Sequence, residues 1–502
     1  MKHFYKYIIM CLPFLMAACT ASIPKDAKIV DEVVPTYPDY SDVVVPCNIA
    51  PLNFHIDIDN ADDYVTKVEG TDGTEIIVGG QDAMFDVDEW HNLLDANKGK
   101  QLSFTIYVCQ DGKWTQYKPI CCTVAEEPID EYLSYRYIEP GYVNYRELSI
   151  CQRNLTNFDE ELIYSNLQKN EVDIANTYQC VNCHSYQNYH TDNFQLHVRQ
   201  YKGGTVLYHD GKLSKINIKT DETIGNGVYT SWHPTEPLIA YSLNHTVQCF
   251  LIGDADHKIE VLDTLSDLVL YHVDTNEVQI VQNSIDSYET YPSWAPTGDT
   301  LYYCSAYYPI EGTAHHFALG NHYDSIYYDI IRQSYDVATS QFGDPDTVFR
   351  ASAIHKSATH PRVSPDGRYL LFSLGDYGNF QLHHTNSDLW MKDLRTDSLQ
   401  KLSNMSTEQA ESYHVWSSNG RWIVFSTRKE DATYTRLYIG YFDRQGRDFK
   451  AFPLPQRDPL YNKKLMKSFN LPELTVEPVK ISPREIADVI EKDAKMAEIY
   501  KK

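Results

Sequence analysis

Cys180-Val181-Asn182-Cys183-His184 sets two thiols three positions apart and an imidazole directly after the second. That spacing is what covalent c-type haem attachment needs. The sulfurs add across the two vinyl groups of the porphyrin, and the histidine then binds iron from one face. Cys180 and Cys183 are therefore the expected thioether residues and His184 the expected proximal ligand. Downstream, His197 is a candidate second iron ligand, and the planar fork of Arg199 suits a haem propionate. Zinc is the alternative cofactor, held by Cys180, Cys183 and one or both of His184 and His190. Zinc sites commonly pair two such knuckles, and this chain has no second CxxC. A redox dithiol is a weaker third reading, because thioredoxin-like motifs sit in βαβ units.

Other reactive residue types are scattered. His315, His316 and His322 lie in one predicted insertion, and His383 and His384 in another, without the fixed pattern of a metal-dependent lyase. No Gly-x-Ser-x-Gly, His-Glu-x-x-His or phosphate loop occurs. A redox carrier or a binding protein is expected, rather than a hydrolase or lyase.

Haem c is attached outside the cytoplasm, so the N-terminus bears on the motif. Lys2 and Lys6 precede an apolar core from Tyr7 to Met16, followed by Ala17 and Ala18. The run is too short to span a bilayer comfortably and reads as a signal peptide. Met16-Ala17-Ala18-Cys19 resembles a bacterial lipobox, with Cys19 as the lipidated residue. The expected location is the periplasm or outer membrane, with membrane contact through the lipid alone. The formal charge of −25 argues against nucleic acid or an anionic membrane surface as partner and leaves envelope or redox proteins. Apart from Cys11, Cys19, Cys180 and Cys183, seven cysteines remain, so at least one stays free. A bridge from Cys109 to Cys121 or Cys122 would staple one predicted hairpin.

The elements that must position these groups are mostly β. The 39 tyrosines and short Tyr/Val/Ile-rich runs favour strands. Phe54, Ile56 and Ile58 alternate with polar residues, as do Leu102, Phe104, Ile106 and Val108 ahead of an Asp111-Gly112 turn. An immunoglobulin-like sandwich over 46–127 is expected. The second half repeats itself: copies begin at Tyr229, Tyr291, His360 and Tyr413, each a strand, a turn and a second strand. Another strand pair follows each copy, and four strands make one propeller blade. The copies resemble the TolB-type propeller repeat, most closely at Ser364-Pro365-Asp366-Gly367. A worn fifth copy over Gly204 to Asn226, and strands over Tyr132 to Asn157, bring the expected number of blades to six. Insertions near 246–264 and 308–326 account for the long repeat period.

The fold expected is therefore mainly β: an N-terminal immunoglobulin-like sandwich, a TolB-like propeller of six blades and a short C-terminal helix. The divisions are 1–18 signal peptide, 19–45 lipidated linker, 46–127 sandwich and 128–199 haem-motif segment with a possible first blade. Then come 200–455 as the propeller and 456–502 as a tail with a helix. Ser482-Pro483-Arg484-Glu485 is a capping box that opens this helix, expected to run to about Tyr500. Ile163 to Gln168 reads as helical, and the motif itself reads as a loop.

Nearly the whole chain is similar to TolB-like lipoproteins of Bacteroidota that carry CxxCH and are often labelled cytochrome c biosynthesis proteins. The residues that carry this resemblance are Ala50-Pro-Leu-Asn-Phe54, Glu139-Pro-Gly-Tyr142, Gln152-Arg-Asn-Leu155, Cys180–His184, His197-Val-Arg199, Gly203-Gly-Thr205 and the propeller repeats. The resemblance implies the architecture and a CxxCH, without a reaction. Related chains often place a methionine, a natural sixth iron ligand, just before His-x-Arg. Asn193-Phe194-Gln195-Leu196 contains none, which leaves His197, His190 or an open position, with Met405 and Met466 distant. Two functions follow: a lipid-anchored haem c protein in electron transfer or haem-linked sensing, or a non-catalytic propeller scaffold with a structural or vestigial CxxCH.

Overall fold

In the computed structural model, residues 21–139, 147–168, 179–250, 259–307 and 322–501 are described. Among them no helix is long and apolar enough to cross a membrane. The chain folds as an N-terminal two-sheet unit and a six-bladed β-propeller.

The N-terminal unit has a seven-stranded sheet built around Gln101–Gln110 and a three-stranded sheet of Thr36–Tyr37, Phe54–Ile56 and Asp82–Ala83. Alternation along these strands sends Phe54 and Phe104 inward, where the rings meet with centroids 6.0 Å apart. A helix, Val87–Ala96, packs against them through Trp90, whose indole donates to the Ile49 carbonyl at 3.2 Å. Asp86 caps that helix by accepting from the Asp88 and Glu89 amides. The expected linker is largely structured. Lys28–Ile29 and Val44–Val45 are strands of the large sheet, and Val34, Tyr40 and Val43 are buried. Their apolar side chains gain more by burial than a solvated tether could offer. All nine described cysteines are free, and no bridge joins Cys109 to Cys121 or Cys122.

Each propeller blade is an antiparallel meander whose first strand lies nearest the axis. The inner strands are Gln179–Gln187, Val228–Trp232, Ser287–Trp294, Ser357–Val363, Glu411–Trp416 and Ser468–Thr475, each packed on the next around a closed ring. The last of these comes from the C-terminal tail and pairs antiparallel with Tyr132–Ile138, completing the blade that Ser149–Asn154 and Glu160–Ser165 continue outward. The propeller therefore begins at Tyr132, well before residue 200, and does not close until Thr475. Ile163 lies in a strand, with only a single 3₁₀ turn at Asn166–Gln168. The described residues near 246–264 belong to two long strands, Leu238–Phe250 and Ile259–His272, while 251–258 and part of 308–326 lie outside the described residues.

The tail then returns across two blades. The capping box at Ser482 and Glu485 forms as expected, but the helix is short, Pro483–Ile490. It buries Ile486, Val489 and Ile490. Its end is fixed by Lys215, whose ammonium donates to the Ile490 and Lys492 carbonyls at 2.7 and 2.9 Å. Beyond it, Lys495–Met496 and Glu498–Ile499 add parallel strands to the outer edges Lys212–Asn217 and Glu277–Gln282. Those unpaired edges offer hydrogen bonds that the charged sequence Glu491-Lys492-Asp493 cannot match by prolonging an apolar helical face.

Candidate axial site

Every inner strand breaks register at the same place. The breaks fall between Asn182 and Ser185, Val228 and Ser231, Thr290 and Ser293, Thr359 and Arg362, and Ser412 and Val415, while the sixth lies opposite Ser134 and Arg136. At each bulge one non-glycine residue adopts a left-handed backbone: Cys183, Tyr229, Tyr291, His360, Tyr413 and Leu471, with φ between 44° and 56°. Such a conformation costs on the order of 1–3 kcal/mol per residue and persists only where the surroundings enforce it. The bulge re-aims the side chain, and here six of them converge on the axis.

The result is a constriction. The rings of Tyr229 and Tyr291 lie 4.5 Å apart by centroid, Tyr291 and His360 3.9 Å, and His360 and Tyr413 4.8 Å. Cys183 and Leu471 complete the circuit, and the space left among them is a cavity of only about 60 Å³. The inner strands run in parallel directions, so residues before the bulge face one mouth and residues after it the other. Cys180, Arg136 and Arg199 line a funnel of about 570 Å³ on the first side. Trp232, Trp294 and Trp416 line a mouth of about 500 Å³ on the second, where Arg362 pairs with Glu473 at 2.8 Å.

The CxxCH is thus an inner propeller strand and not a loop. Cys180 pairs with Arg199 and Asn182 with His197 across the hairpin. Burial pushes the Cys180 thiol up, opposed by Arg199 and Arg136. His184 is buried beside the backbone of Ser134 and Leu471 from the neighbouring blade, and neither ring nitrogen makes a well-formed hydrogen bond. Desolvation, with Arg136 adding to it, pushes its pKa down to about 3, so the ring is neutral. His197 is buried as well, its Nδ1 3.0 Å from Thr205 Oγ1, and desolvation with Arg199 beside it lowers it to about 3. Arg199 is exposed into the funnel.

A haem joined through CxxCH needs both sulfurs and the imidazole to face one space. Here Cys180 lines the wide funnel, whereas Cys183 and the buried His184 line the constriction, whose cavity of about 60 Å³ is far too small for a porphyrin. As folded, these residues do not fit a haem held through Cys180, Cys183 and His184. Zinc fares no better. Among the described residues no three His, Cys, Asp or Glu side chains are placed to share a metal ion. His190 starts the next strand beyond the bulge, 3.5 Å from Glu477, on the opposite side of the constriction from Cys180. Met405 is buried in the core between the last two blades, and Met466 is exposed. His384 pairs with Glu260 at 3.0 Å in the interior, while His315 and His316 lie outside the described residues.

The axial ring was missed by sequence reasoning, although its signal is present. The four quoted repeat copies each begin at their bulge residue, and two more can be laid on the same frame. Cys183-His184-Ser185 and Leu471-Pro472-Glu473 correspond to His360-Pro361-Arg362.

No protein-family model matches the chain, and neither does any curated protein sequence. Solved structures with a similar chain path do exist. An oligogalacturonate lyase in complex with manganese is 12% identical with a TM-score of 0.30, covering 84% of this chain and 99% of that one. The oligogalacturonate lyase of Vibrio parahaemolyticus is 12% identical with a TM-score of 0.31, over 69% of this chain and 88% of its own. A puromycin-hydrolysing peptidase of Mycobacterium tuberculosis is 11% identical with a TM-score of 0.31, over 69% of this chain. The match spans less than half of that peptidase, 43%. The propeller is read from this chain's own sheets and not from these likenesses.

Proposed function

We propose that this chain is an envelope protein, lipid-anchored through Cys19, that acts by binding at the propeller axis. In this reading the Cys180–His184 segment is wall material of the axial ring and carries no haem. The observation behind it is the strand itself, which turns Cys180 to the funnel and leaves Cys183 and the buried His184 at a constriction of only about 60 Å³. Two open mouths meeting at a plugged axis suit a ligand or partner seated from either side.

Haem c in electron transfer or haem-linked sensing is the competing reading, and one observation favours it. The funnel beside Cys180 carries Arg136 and Arg199, chemistry that suits two propionates. One preparation decides between them. The full-length protein is produced alongside a c-type cytochrome maturation system, purified, and tested by pyridine haemochrome spectrum and by thiol alkylation after denaturation. The expected outcome is colourless protein in which both Cys180 and Cys183 take the alkylating label. A haemochrome band with both cysteines blocked would overturn the binding-protein reading.

A further inference from the structure

A chain of formal charge −25 should present carboxylates at most of its openings. The funnel on the Cys180 side departs from that. Among the described residues its wall holds Arg136 and Arg199 and no aspartate or glutamate. Arg136 donates to the Asn182 side chain. Arg199 makes no hydrogen bond or ion pair among the described residues, although it is exposed into the space. The titratable groups facing it are the thiols of Cys183 and Cys180, the phenols of Tyr229 and Tyr413, and the neutral imidazole of His197. Buried acids nearby are engaged elsewhere. Asp263 accepts from Asn244 at 3.0 Å, Tyr328 at 3.1 Å and Asn379, and Glu260 pairs with His384.

The remaining wall is suited to hydroxyl-rich matter. Gln200 and Asn226 offer amide donors and acceptors, and the half-buried Tyr229 stands beside the buried Tyr413 at the floor. At about 570 Å³ the funnel falls in the range of roughly 300–1,000 Å³ typical of small-ligand sites.

We propose that this funnel binds an acidic saccharide, its carboxylate paired with Arg199 and a sugar ring resting against Tyr229 at the floor. The proposal rests on the axial-binding reading and adds the chemical class of the ligand. A planar guanidinium without a protein carboxylate is free to accept a ligand carboxylate through two parallel hydrogen bonds. The tyrosine floor and the amides discriminate for a sugar over a bare small anion.

The test is titration calorimetry on the full-length protein with a linear trimer of galacturonate as probe and maltotriose as its neutral counterpart. Binding of the acidic trimer, weakening as salt rises, is expected, and maltotriose should bind at least about tenfold more weakly. Arg199→Gln should weaken the acidic trimer about 10- to 100-fold, the effect of losing a charge-assisted pair. Its melting temperature should match the parent's, since its side chain has no hydrogen-bonded or ion-pair partner to lose among the described residues. Arg484→Gln, on the tail helix, should bind as the parent does. Failure of the acidic trimer to bind, equal binding of maltotriose, or an Arg199→Gln affinity within twofold of the parent would each overturn the proposal. A haemochrome spectrum would instead overturn the axial-binding reading itself, whereas colourless protein that ignores the acidic trimer removes only the saccharide assignment.

Discussion

His184 shows how much one side chain's surroundings decide. In the unfolded chain it titrates near pH 6.5, but in the folded protein burial first, and Arg136 second, hold it down to about 3. A depressed folded pKa means that stability from this group is complete above pH 6.5 and is lost as pH falls toward 3, because the unfolded state takes the proton first. Between pH 6.5 and 4.5 the loss is about 2–3 kcal/mol for this residue. His184→Phe keeps a ring in the slot and removes the proton site. Its urea-unfolding free energy relative to the parent should therefore shift in the variant's favour by about 2–3 kcal/mol on going from pH 7 to 4.5. Parallel pH profiles for the two proteins would mean that the ring is solvated. His197 and His414, also held near 3 by burial, are not touched by this change and cancel in the comparison.

Among the elements, legibility followed local chemistry. Pro365-Asp366-Gly367 and the capping box at Ser482 announce a turn and a helix start because backbone φ and side-chain caps are decided within a few residues. Six blades could be counted for the same reason. What stayed hidden is non-local. Nothing near Ser468–Thr475 says that it will pair with Tyr132–Ile138, more than three hundred residues earlier, and so become the inner strand of the first blade. The CxxCH reads as a loop in sequence because its cysteines suggest cofactor chemistry, whereas its place in the repeat frame makes it a strand with a bulge at Cys183. The closing strand carries a measurable consequence. A chain ended after residue 466 loses Phe469 and Leu474 from the shared core and leaves the inner edge of Tyr132–Ile138 unpaired. It should show no cooperative melting transition. A chain ended after residue 481 keeps the ring and loses the latch made by Ile486, Val489 and Ile490 together with the edge strands Lys495–Met496 and Glu498–Ile499, so it should still melt cooperatively, at a lower temperature. Cooperative melting of the shorter chain, followed by near-UV circular dichroism, would show that the ring closes without its last strand.

For the whole molecule, the question is whether the N-terminal unit and the propeller are two bodies or one. A single apolar core joins them: Phe54, Phe104 and Val44 belong to the same cluster as Trp422, Phe452 and Phe469. Polar contacts reinforce the seam, with the Trp422 indole donating to the Pro128 carbonyl at 3.0 Å and the Asn53 amide donating to the Arg457 carbonyl at 3.1 Å. Lys450 reaches Asp39 at 2.7 Å, and the Tyr40 ring meets Phe452 edge-on at 6.3 Å. Tyr40 belongs to the stretch whose composition reads as a tether, so it separates a free linker from a docked one. Tyr40→Ala in a free linker would change stability by less than about 0.5 kcal/mol. In a docked one it empties a buried aromatic site at the seam and should cost about 3–5 kcal/mol. Tyr40→Phe removes only a buried hydroxyl that has no hydrogen-bond partner among the described residues and should be close to neutral. Because the core is continuous, the loss in Tyr40→Ala should appear as a downward shift of one calorimetric transition. A separate low-temperature transition for the N-terminal unit, with the propeller's transition unmoved, would mean that the two halves fold independently.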